Sequence, residues 1–418
     1  MHAETTVGTS SPAKAGWGGT ATLVLVAGAI VISSGMGIRQ TFGLFLQPFS
    51  ADRALPITMF AFAIALHNLV WGLAQPVAGA AADRFGSAAV VALGAVAYAA
   101  GLALTSIAHG SLLVIVGIGL LTGLGISCTS FGVVLPAVSK VVRPERRSVA
   151  AGIVSAGGSV GQMAIVPLAQ GAITVGGVEF GLLCLAAFAL LVAPLGLLLD
   201  RRGAGSAGAP VGDRVGDRAA TLRDTLRDAA LHPGFRLLTL GFFTCGFQLA
   251  FIVTHLPGYL VTCGISPALG ATALAVVGFF NIIGSWGCGW LGARYPMQHL
   301  LGFVYLLRGL AIVGFVLLPK SDFGVLAFAA AMGTLWLGTV PLTSGLIGRM
   351  FGVAHMGTLF GIAFMSHQIG SFLGAWLGGV MFDLTGSYVG FWWLTAAAGL
   401  FAALVNFPID DRARLEPA

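Results

Sequence analysis

Apolar runs long enough to cross a bilayer dominate this sequence and exclude most other folds. A helix needs roughly 20 apolar residues to cross the hydrocarbon core of a membrane. Only 9% of the 418 residues are charged, whereas soluble domains carry about 25%. The sequence therefore predicts an all-α membrane protein with twelve transmembrane helices in two six-helix pseudo-repeats. The predicted spans are 20–48, 56–81, 87–108, 111–139, 147–171, 179–199, 236–261, 268–292, 298–318, 323–347, 356–381 and 387–408.

The predicted domains follow from these spans. An amino-terminal six-helix bundle is expected at 20–199 and a carboxy-terminal one at 236–410, with cytoplasmic tails at 1–19 and 411–418. A cytoplasmic linker at 200–235 separates the bundles. In the linker, Leu222 and Leu226 lie four residues apart beside charged residues, which fits a short amphipathic helix. A solvated linker without that helix is the alternative.

The basic residues predict the orientation in the membrane. Cytoplasmic loops are enriched in Lys and Arg. With the amino terminus inside, 17 basic residues fall in cytoplasmic segments, and two, Arg53 and Lys320, fall outside. We therefore expect a multi-pass protein of the cytoplasmic membrane with both termini in the cytoplasm. Because the bases lie in short loops between apolar runs, they indicate a lipid bilayer as partner and no nucleic acid.

Two motifs resemble those of a known family. Gly79, Asp83, Arg84 and Gly86 match the Gly-x-x-x-Asp-Arg-x-Gly loop of major facilitator transporters. The resemblance implies that the Asp and Arg latch the two halves on the cytoplasmic side. It also implies alternating access at a site between the halves, an arrangement that parallel six-helix repeats permit.

The second motif narrows the resemblance. Arg146 and Arg147, followed by Ala150, Gly152, Gly157 and Gly161, are similar to the start of helix 5 in monocarboxylate transporters. The oxalate/formate antiporter is a related comparison. The sequence departs from both: their basic residue in helix 8 is absent from the matching segment, 279–286. In helix 11 the antiporter has a basic residue, and this chain offers His367.

Two arginines within predicted spans, with no Asp or Glu deep in any span, are the clearest chemical signal. Arg39 lies in helix 1 and Arg308 at mid-depth in helix 9. Ionisable residues at membrane depth are costly and mark functional sites, and cations without acids favour an anionic substrate. Two alternatives remain open: Arg39 reaches the outer headgroups, or Arg308 binds backbone carbonyls of neighbouring helices.

Polar residues embedded in the spans complete the predicted substrate site. A histidine can bind a carboxylate or relay a proton, and amides and hydroxyls can bond a substrate oxygen. Each could equally bond between helices. Besides the two arginines, the predicted binding residues are His367, Gln368, Asn281, Thr129, Gln162, His67 and His255.

These features predict a secondary active transporter of small organic anions, of the monocarboxylate type, working by alternating access. A coupled proton or an exchanged anion is the expected partner, since no nucleotide-binding signature is present. No cofactor or metal is expected, because the five cysteines show no metal-type spacing. An efflux pump for hydrophobic compounds is the first alternative. A membrane enzyme or receptor without transport is the second.

Overall fold

The computed structural model of the chain describes residues 19–143, 146–200, 222–352 and 356–410. All its regular elements in these ranges are helices. We number the membrane crossings α1 to α12. They are Gly19–Asp52, Ile57–Phe85, Ser87–Ser106, Ser111–Val141, 147–176, 178–199, Pro233–Thr262, Pro267–Gly292, Met297–Leu317, Asp322–Phe351, Met356–Thr385 and Val389–Asn406.

The count of twelve within the described ranges rests on two of these boundaries. Ten helices there are long and apolar enough to span a membrane, and one of them runs over Val149–Leu199. It contains Gly177 with φ 74° and ψ −171°, a conformation that favours glycine and splits the segment into α5 and α6. The helix Met356–Thr385, with 30 residues, is also of crossing length. The predicted all-α fold of two six-helix repeats is confirmed.

The two ends of the bundle differ in charge. At one end, which we name the basic end, α2 meets α3 beside Arg84, α4 ends beside Lys140, and α8 ends before Arg294. At the other, which we name the closed end, α1 finishes and α2 begins. Helix α1 continues to Asp52, four residues beyond its predicted end. Arg39 therefore lies about 20 Å from the closed end at 1.5 Å per residue, deeper than the sequence suggested.

Glycines let the long helices of each half pack backbone against backbone. A Cβ added at Gly161 of α5 would collide with the carbonyl oxygen of Ser33 in α1. A Cβ added at Gly370 of α11 would likewise collide with the carbonyl oxygen of Phe243 in α7. Small residues permit this approach, which drives helix association in lipid, where apolar burial does not. The two halves thus share one packing pattern.

Helices α4 and α10 are each interrupted at a similar place in their half. The α4 crossing includes a π-helical segment, Ile115–Leu121, and breaks at Ser130, where φ is −106° and ψ −169°. The α10 crossing divides into Asp322–Thr334 and Thr339–Phe351. Broken backbone at membrane depth needs polar partners from neighbouring helices. These breaks therefore identify where polar side chains are required.

The halves meet along α1, α2 and α5 on one side and α7, α8 and α11 on the other. At the closed end, Gln47 Nε2 donates to the carbonyl oxygen of Gly258 over 3.1 Å, joining α1 to α7. Towards the basic end, Gly152 and Gly361 have no atom within 4 Å of an added Cβ. The segments of α4 and α10 nearest that end pack mainly within their own halves. The contact between the halves is therefore concentrated from the closed end to mid-depth.

The predicted linker contains one described helix, Leu222–Leu231, placed where the amphipathic helix was expected. Residues 1–18 of the predicted tail 1–19, the predicted tail 411–418 and linker residues 201–221 lie outside the described residues.

Candidate functional site

The arginine of α1 is held at mid-depth by an amide of α2. Arg39 donates from Nε and Nη2 to Oδ1 of Asn68, over 3.2 and 2.9 Å. Its guanidinium carbon lies 5.4 Å from the centroid of the Trp71 ring. Asn68 is buried, whereas Arg39 is only partly buried. The guanidinium therefore contacts a neutral oxygen and an aromatic face, and neither neutralises its charge.

The ion pairs seen in the described ranges lie near helix ends, away from this arginine. Arg53 pairs with Asp52 at 3.0 Å and with Glu179 at 3.8 Å, and Lys140 pairs with Asp83 at 3.3 Å. A cation at mid-depth is poorly screened and interacts strongly with any charge nearby. The arrangement at α1 therefore suits an anion that supplies the missing countercharge.

Two side chains of α11 reach this site from the other half. Gln368 Nε2 donates to the backbone oxygen of Asn68 over 2.9 Å. Its Oε1 lies 3.0 Å from Nδ1 of His367, whose ring stacks on Phe364 with centroids 6.0 Å apart. Phe364 also contacts Trp71 edge to face across the boundary, at 5.4 Å. We name this group the central cluster. It comprises Arg39, Asn68, Trp71, Gln368 and His367.

The second arginine is enclosed by its own half. Arg308 is fully buried, and its Nη1 donates to Cys245 Sγ at 3.4 Å and to Gln248 Oε1 at 3.3 Å. Its Nη2 donates to the carbonyl oxygens of Leu335 and Trp336, the latter over 3.1 Å. These carbonyls stand at the α10 break, where a helix end leaves acceptors without partners. The guanidinium thus caps the broken helix, the alternative that the sequence left open.

A thiol links the second arginine to the α10 break. Cys245 Sγ lies 3.5 Å from Oγ1 of Thr339, the first residue of the second α10 segment. The same sulfur accepts from Nη1 of Arg308, so the guanidinium contacts both sides of the break.

Asn281 of α8 connects the α10 break to the opposite half. Its Nδ2 donates to Ser159 Oγ of α5 over 2.9 Å, and its Oδ1 accepts from the backbone N–H of Leu337 over 3.0 Å. Gln162 is buried one turn further along α5, and its Oε1 has no partner in the described ranges. Both predicted amides therefore lie at the α5–α8 contact between the halves, outside the central cluster.

The other two embedded histidines lie within single halves. His67 is buried, with Nδ1 2.8 Å from Thr122 Oγ1 of α4, beside the π-helical segment. His255 is buried in the carboxy-terminal half, and its Nε2 donates to the carbonyl oxygen of Ala375 over 2.7 Å. The structure places neither ring in the central cluster.

The predicted residue Thr129 stands at the α4 break. It ends the helix before Ser130 and donates to the carbonyl oxygen of Gly125 over 2.9 Å. Ser130 Oγ and Trp71 Nε1 both donate to Gln75 Oε1, at 2.6 and 2.8 Å. Thus α2 supports the α4 break through Gln75, as α8 supports the α10 break through its asparagine.

The loop between α2 and α3 is closed by a residue that the sequence analysis did not select. Gly86 has φ 90°, and Asp200, at the end of α6, accepts from the backbone N–H of Ser87 over 2.8 Å. Asp200 therefore caps α3. In this conformation Asp83 pairs with Lys140 of its own half.

The remaining loop residues lie at the basic end. Arg84 lies over the ring of the next residue, 5.2 Å from its centroid, and Gly79 faces backbone of α4. Arg146 precedes α5, and Arg147 Nε donates to the carbonyl oxygen of Ser139 over 3.1 Å. These contacts join loops and helices of the amino-terminal half.

Sequence reasoning missed three contributors to the site. Trp71 belongs to an apolar run, but its spacing of four residues from Gln75 places both on one helical face, a signal that could have found it. Cys245 reads as an ordinary small apolar residue. Ser159 lies in a glycine-rich segment and bonds across the halves.

The described ranges contain no group of three or more His, Cys, Asp or Glu arranged to hold a metal ion. The chemistry available at the central cluster is therefore that of a guanidinium, amides, aromatic rings and one imidazole.

The chain matches the model of one protein family and several known transporters. The model of the family described as Major Facilitator Superfamily matches residues 17–340. The chain is 27% identical to the uncharacterized MFS-type transporter YcxA of Bacillus subtilis (strain 168), covering 86% of this chain and 88% of that protein. It is 27% identical to monocarboxylate transporter 13 of Bos taurus, covering 95% and 92%. It is 23% identical to monocarboxylate transporter 12 of Rattus norvegicus, covering 96% and 87%.

Solved structures share the fold. A bacterial homologue of the human lysosomal transporter Spinster, in an inward-facing and unoccupied conformation, superposes with a TM-score of 0.74 at 18% identity, covering 96% of this chain and all of that one. A D-xylose-proton symporter superposes with a TM-score of 0.70 at 15% identity, covering 94% and 98%.

Proposed function

Because this chain belongs to the Major Facilitator Superfamily and is a transporter rather than an enzyme, we propose that it carries small organic anions, of the monocarboxylate class, by alternating access. The single observation that carries the substrate class is the uncompensated guanidinium of Arg39 at mid-depth, beside the boundary between the halves. The named monocarboxylate transporters among its relatives support the same class.

The guanidinium is suited to a carboxylate by shape as well as charge. Arginine presents parallel N–H groups that match the two oxygens of a carboxylate, whereas lysine offers only a point charge. Trp71 lies beside it and Phe364 packs against Trp71, so these two rings can contact the apolar part of a substrate. A monoanion with an apolar body therefore fits these residues better than a cation or a sugar.

Alternating access would follow from rocking of residues 20–199 against 236–410. Among the bonds that join the halves, those from Gln47 to Gly258 and from Gln368 to Asn68 lie between the closed end and mid-depth. Breaking them opens the closed end, and closure at the basic end then seals the opposite side. The distribution of basic residues supports placing the basic end on the cytoplasmic side of the cell membrane.

His367 is our candidate for coupling transport to a proton. It is partly buried, and it belongs to the central cluster through Gln368. Histidine is the ordinary side chain that changes charge near neutral pH, and no carboxylate lies at mid-depth to do this instead. The alternative is exchange of one anion for another, which needs no proton site.

The test of the substrate class is removal of the charge at Arg39. Purified protein is screened for thermal stabilisation by pyruvate, lactate and benzoate, because a ligand that binds the folded state raises the Tm. We expect Arg39→Gln to abolish stabilisation and Arg39→Lys to restore it weakly. Arg294→Gln is the matched control, since that arginine is exposed and lies over Trp290. If Arg39→Gln binds these anions as the wild type does, the proposed substrate site is wrong.

The coupling step is tested in proteoliposomes with an imposed pH gradient. Proton coupling predicts that the gradient accelerates uptake of the stabilising anion, and that His367→Gln removes this acceleration while preserving counterflow. Exchange predicts uptake that ignores the gradient and accelerates when anion is loaded on the far side. His299→Gln is the control for the loss of a histidine, since that residue lies at the start of α9 beside Phe407.

A further inference from the structure

The amide of Asn68 lies against one edge of the Arg39 guanidinium. Nε and Nη2 form one edge of the Arg39 guanidinium, and both donate to a single oxygen, Asn68 Oδ1. Arginine binds carboxylates through paired N–H groups of this kind. A neutral amide therefore holds the binding edge of the arginine.

The orientation of this amide is fixed by its other contact. Asn68 Nδ2 donates to the carbonyl oxygen of Ile64 over 2.9 Å, and a carbonyl can only accept. A guanidinium can only donate, so the reversed amide would set donor against donor at Arg39. The oxygen of Asn68 must therefore face the arginine as long as both contacts are made.

The opposite half holds the same residue. Gln368 of α11 donates to the backbone oxygen of Asn68 over 2.9 Å. The backbone of the residue whose side chain covers the arginine is thus anchored to α11 while the halves are joined at mid-depth.

From this geometry we infer that Asn68 is an internal competitor of the substrate: it satisfies Arg39 in the empty carrier, and the carboxylate must displace its oxygen to bind. The inference rests on the proposed anion transport. The competitor prevents Arg39 from being left without a partner when no substrate is bound, which would be costly at membrane depth. A ligand that binds the guanidinium less strongly than this oxygen does cannot displace it. Asn68 therefore sets the minimum strength of interaction with Arg39 that a ligand needs in order to bind.

The experiment titrates purified wild-type and variant proteins with sodium pyruvate and sodium benzoate, following Tm and isothermal heat. Removing the competitor in Asn68→Ala, or in the larger apolar Asn68→Leu, should tighten binding at least threefold. Asn68→Asp places a permanent carboxylate beside Arg39. It should abolish binding of both anions while the Tm without ligand stays at or above that of the wild type. Two independent apolar variants are used because either could fail to fold.

Gln40 supplies the matched control. It is the neighbouring amide on α1, is fully buried, and has neither amide atom bonded within the described part of the chain. Gln40→Leu should leave the affinity for both anions within twofold of the wild type.

The outcomes distinguish failure of the proposed anion transport from failure of the role inferred for Asn68. If Arg39→Gln binds as the wild type does, the proposed function fails and the inference with it. If Arg39→Gln loses binding but Asn68→Ala and Asn68→Leu also weaken it, Asn68 positions the arginine rather than competing, and the inference alone is overturned. If neither the wild type nor the folded apolar variant binds either anion, the inference is again overturned, because a freed arginine should bind more tightly.

Discussion

Asp383, near the end of α11, accepts a hydrogen bond from the backbone N–H of Thr58 over 2.7 Å, across the boundary between the halves. Helix α2 begins at Ile57, so the carboxylate lies at a helix amino terminus, where negative charge is stabilising. This contact belongs to the closed end. The family resemblance implies a contact between the halves at the opposite end, made by Asp83 in the last turn of α2.

We expect Asp383→Asn to loosen the closed end. The amide loses the charge that interacts with the α2 terminus, at a cost of about 1 kcal/mol, which corresponds to about fivefold in the equilibrium between conformations. Thiol labelling of a cysteine introduced at Gln47 would then be faster. Asp322→Asn, a change of the same kind at the closed end, should leave the labelling rate unchanged. Equal rates in all three proteins would show that the carboxylate does not hold this end.

A disulfide at the closed end should lock the carrier. A Cβ added at Gly258 would lie 3.2 Å from Cγ of Gln47, so the pair Gln47→Cys and Gly258→Cys is close enough for disulfide geometry. In a background without the native cysteines, oxidation should stop transport, and a reductant should restore it. Either single cysteine serves as control. Full transport by the oxidised double variant would mean that α1 and α7 need not separate during the cycle.

Arg308→Gln should reduce stability more than Arg39→Gln does. Its guanidinium satisfies Gln248 and the carbonyls of Leu335 and Trp336, and each buried acceptor left without a donor costs about 1–3 kcal/mol. We expect a Tm lower by several degrees for Arg308→Gln in detergent, and a smaller change for the α1 variant. If Arg308→Gln keeps the wild-type Tm but loses anion binding, Arg308 contacts substrate after all.

Gly161→Ala should separate the α1–α5 contact and destabilise the fold. The added methyl would collide with the backbone at Ser33, and a rigid carbonyl cannot move aside. The matched control is Gly152→Ala on the same helix, where an added Cβ meets nothing within 4 Å. That change should be neutral or stabilise by up to about 1 kcal/mol, because alanine favours helix over glycine. Thermal unfolding followed by circular dichroism distinguishes the two variants, and equal Tm values would contradict this packing.

Much of the fold could be predicted because lipid imposes strict requirements on sequence. Crossing length and apolar composition located the helices to within a few residues. Crossing length and composition do not predict the positions of the interruptions in α4 and α10. Pro341 lies three residues beyond the segment 335–338 and has no N–H to bond back to residue 337, which favours the α10 break. Ser130 has no proline within five residues on either side, so the α4 break has no such signal.

The candidate site was only partly predictable, because local sequence patterns identify unusual residues but not their contacts. Embedded charge selected Arg39 as a candidate, and His367 and Gln368 are candidates adjacent in sequence whose side chains are in contact. Which partner each arginine meets depends on how consecutive helices pack against each other. The pairing of Arg39 with Asn68, and of Arg308 with the α10 break, follows from tertiary packing that no local pattern encodes.

The shared glycine packing of the two halves has a consequence for how the site works. It aligns Ser33 with Phe243, and in the same register Arg39 corresponds to Leu249, so the charge has no counterpart in the carboxy-terminal half. A carboxylate bound to Arg39 would then stay at rest in the frame of reference of the amino-terminal half throughout the cycle. The carboxy-terminal half would move past the bound substrate, so different groups of that half would face the rest of the substrate at each stage.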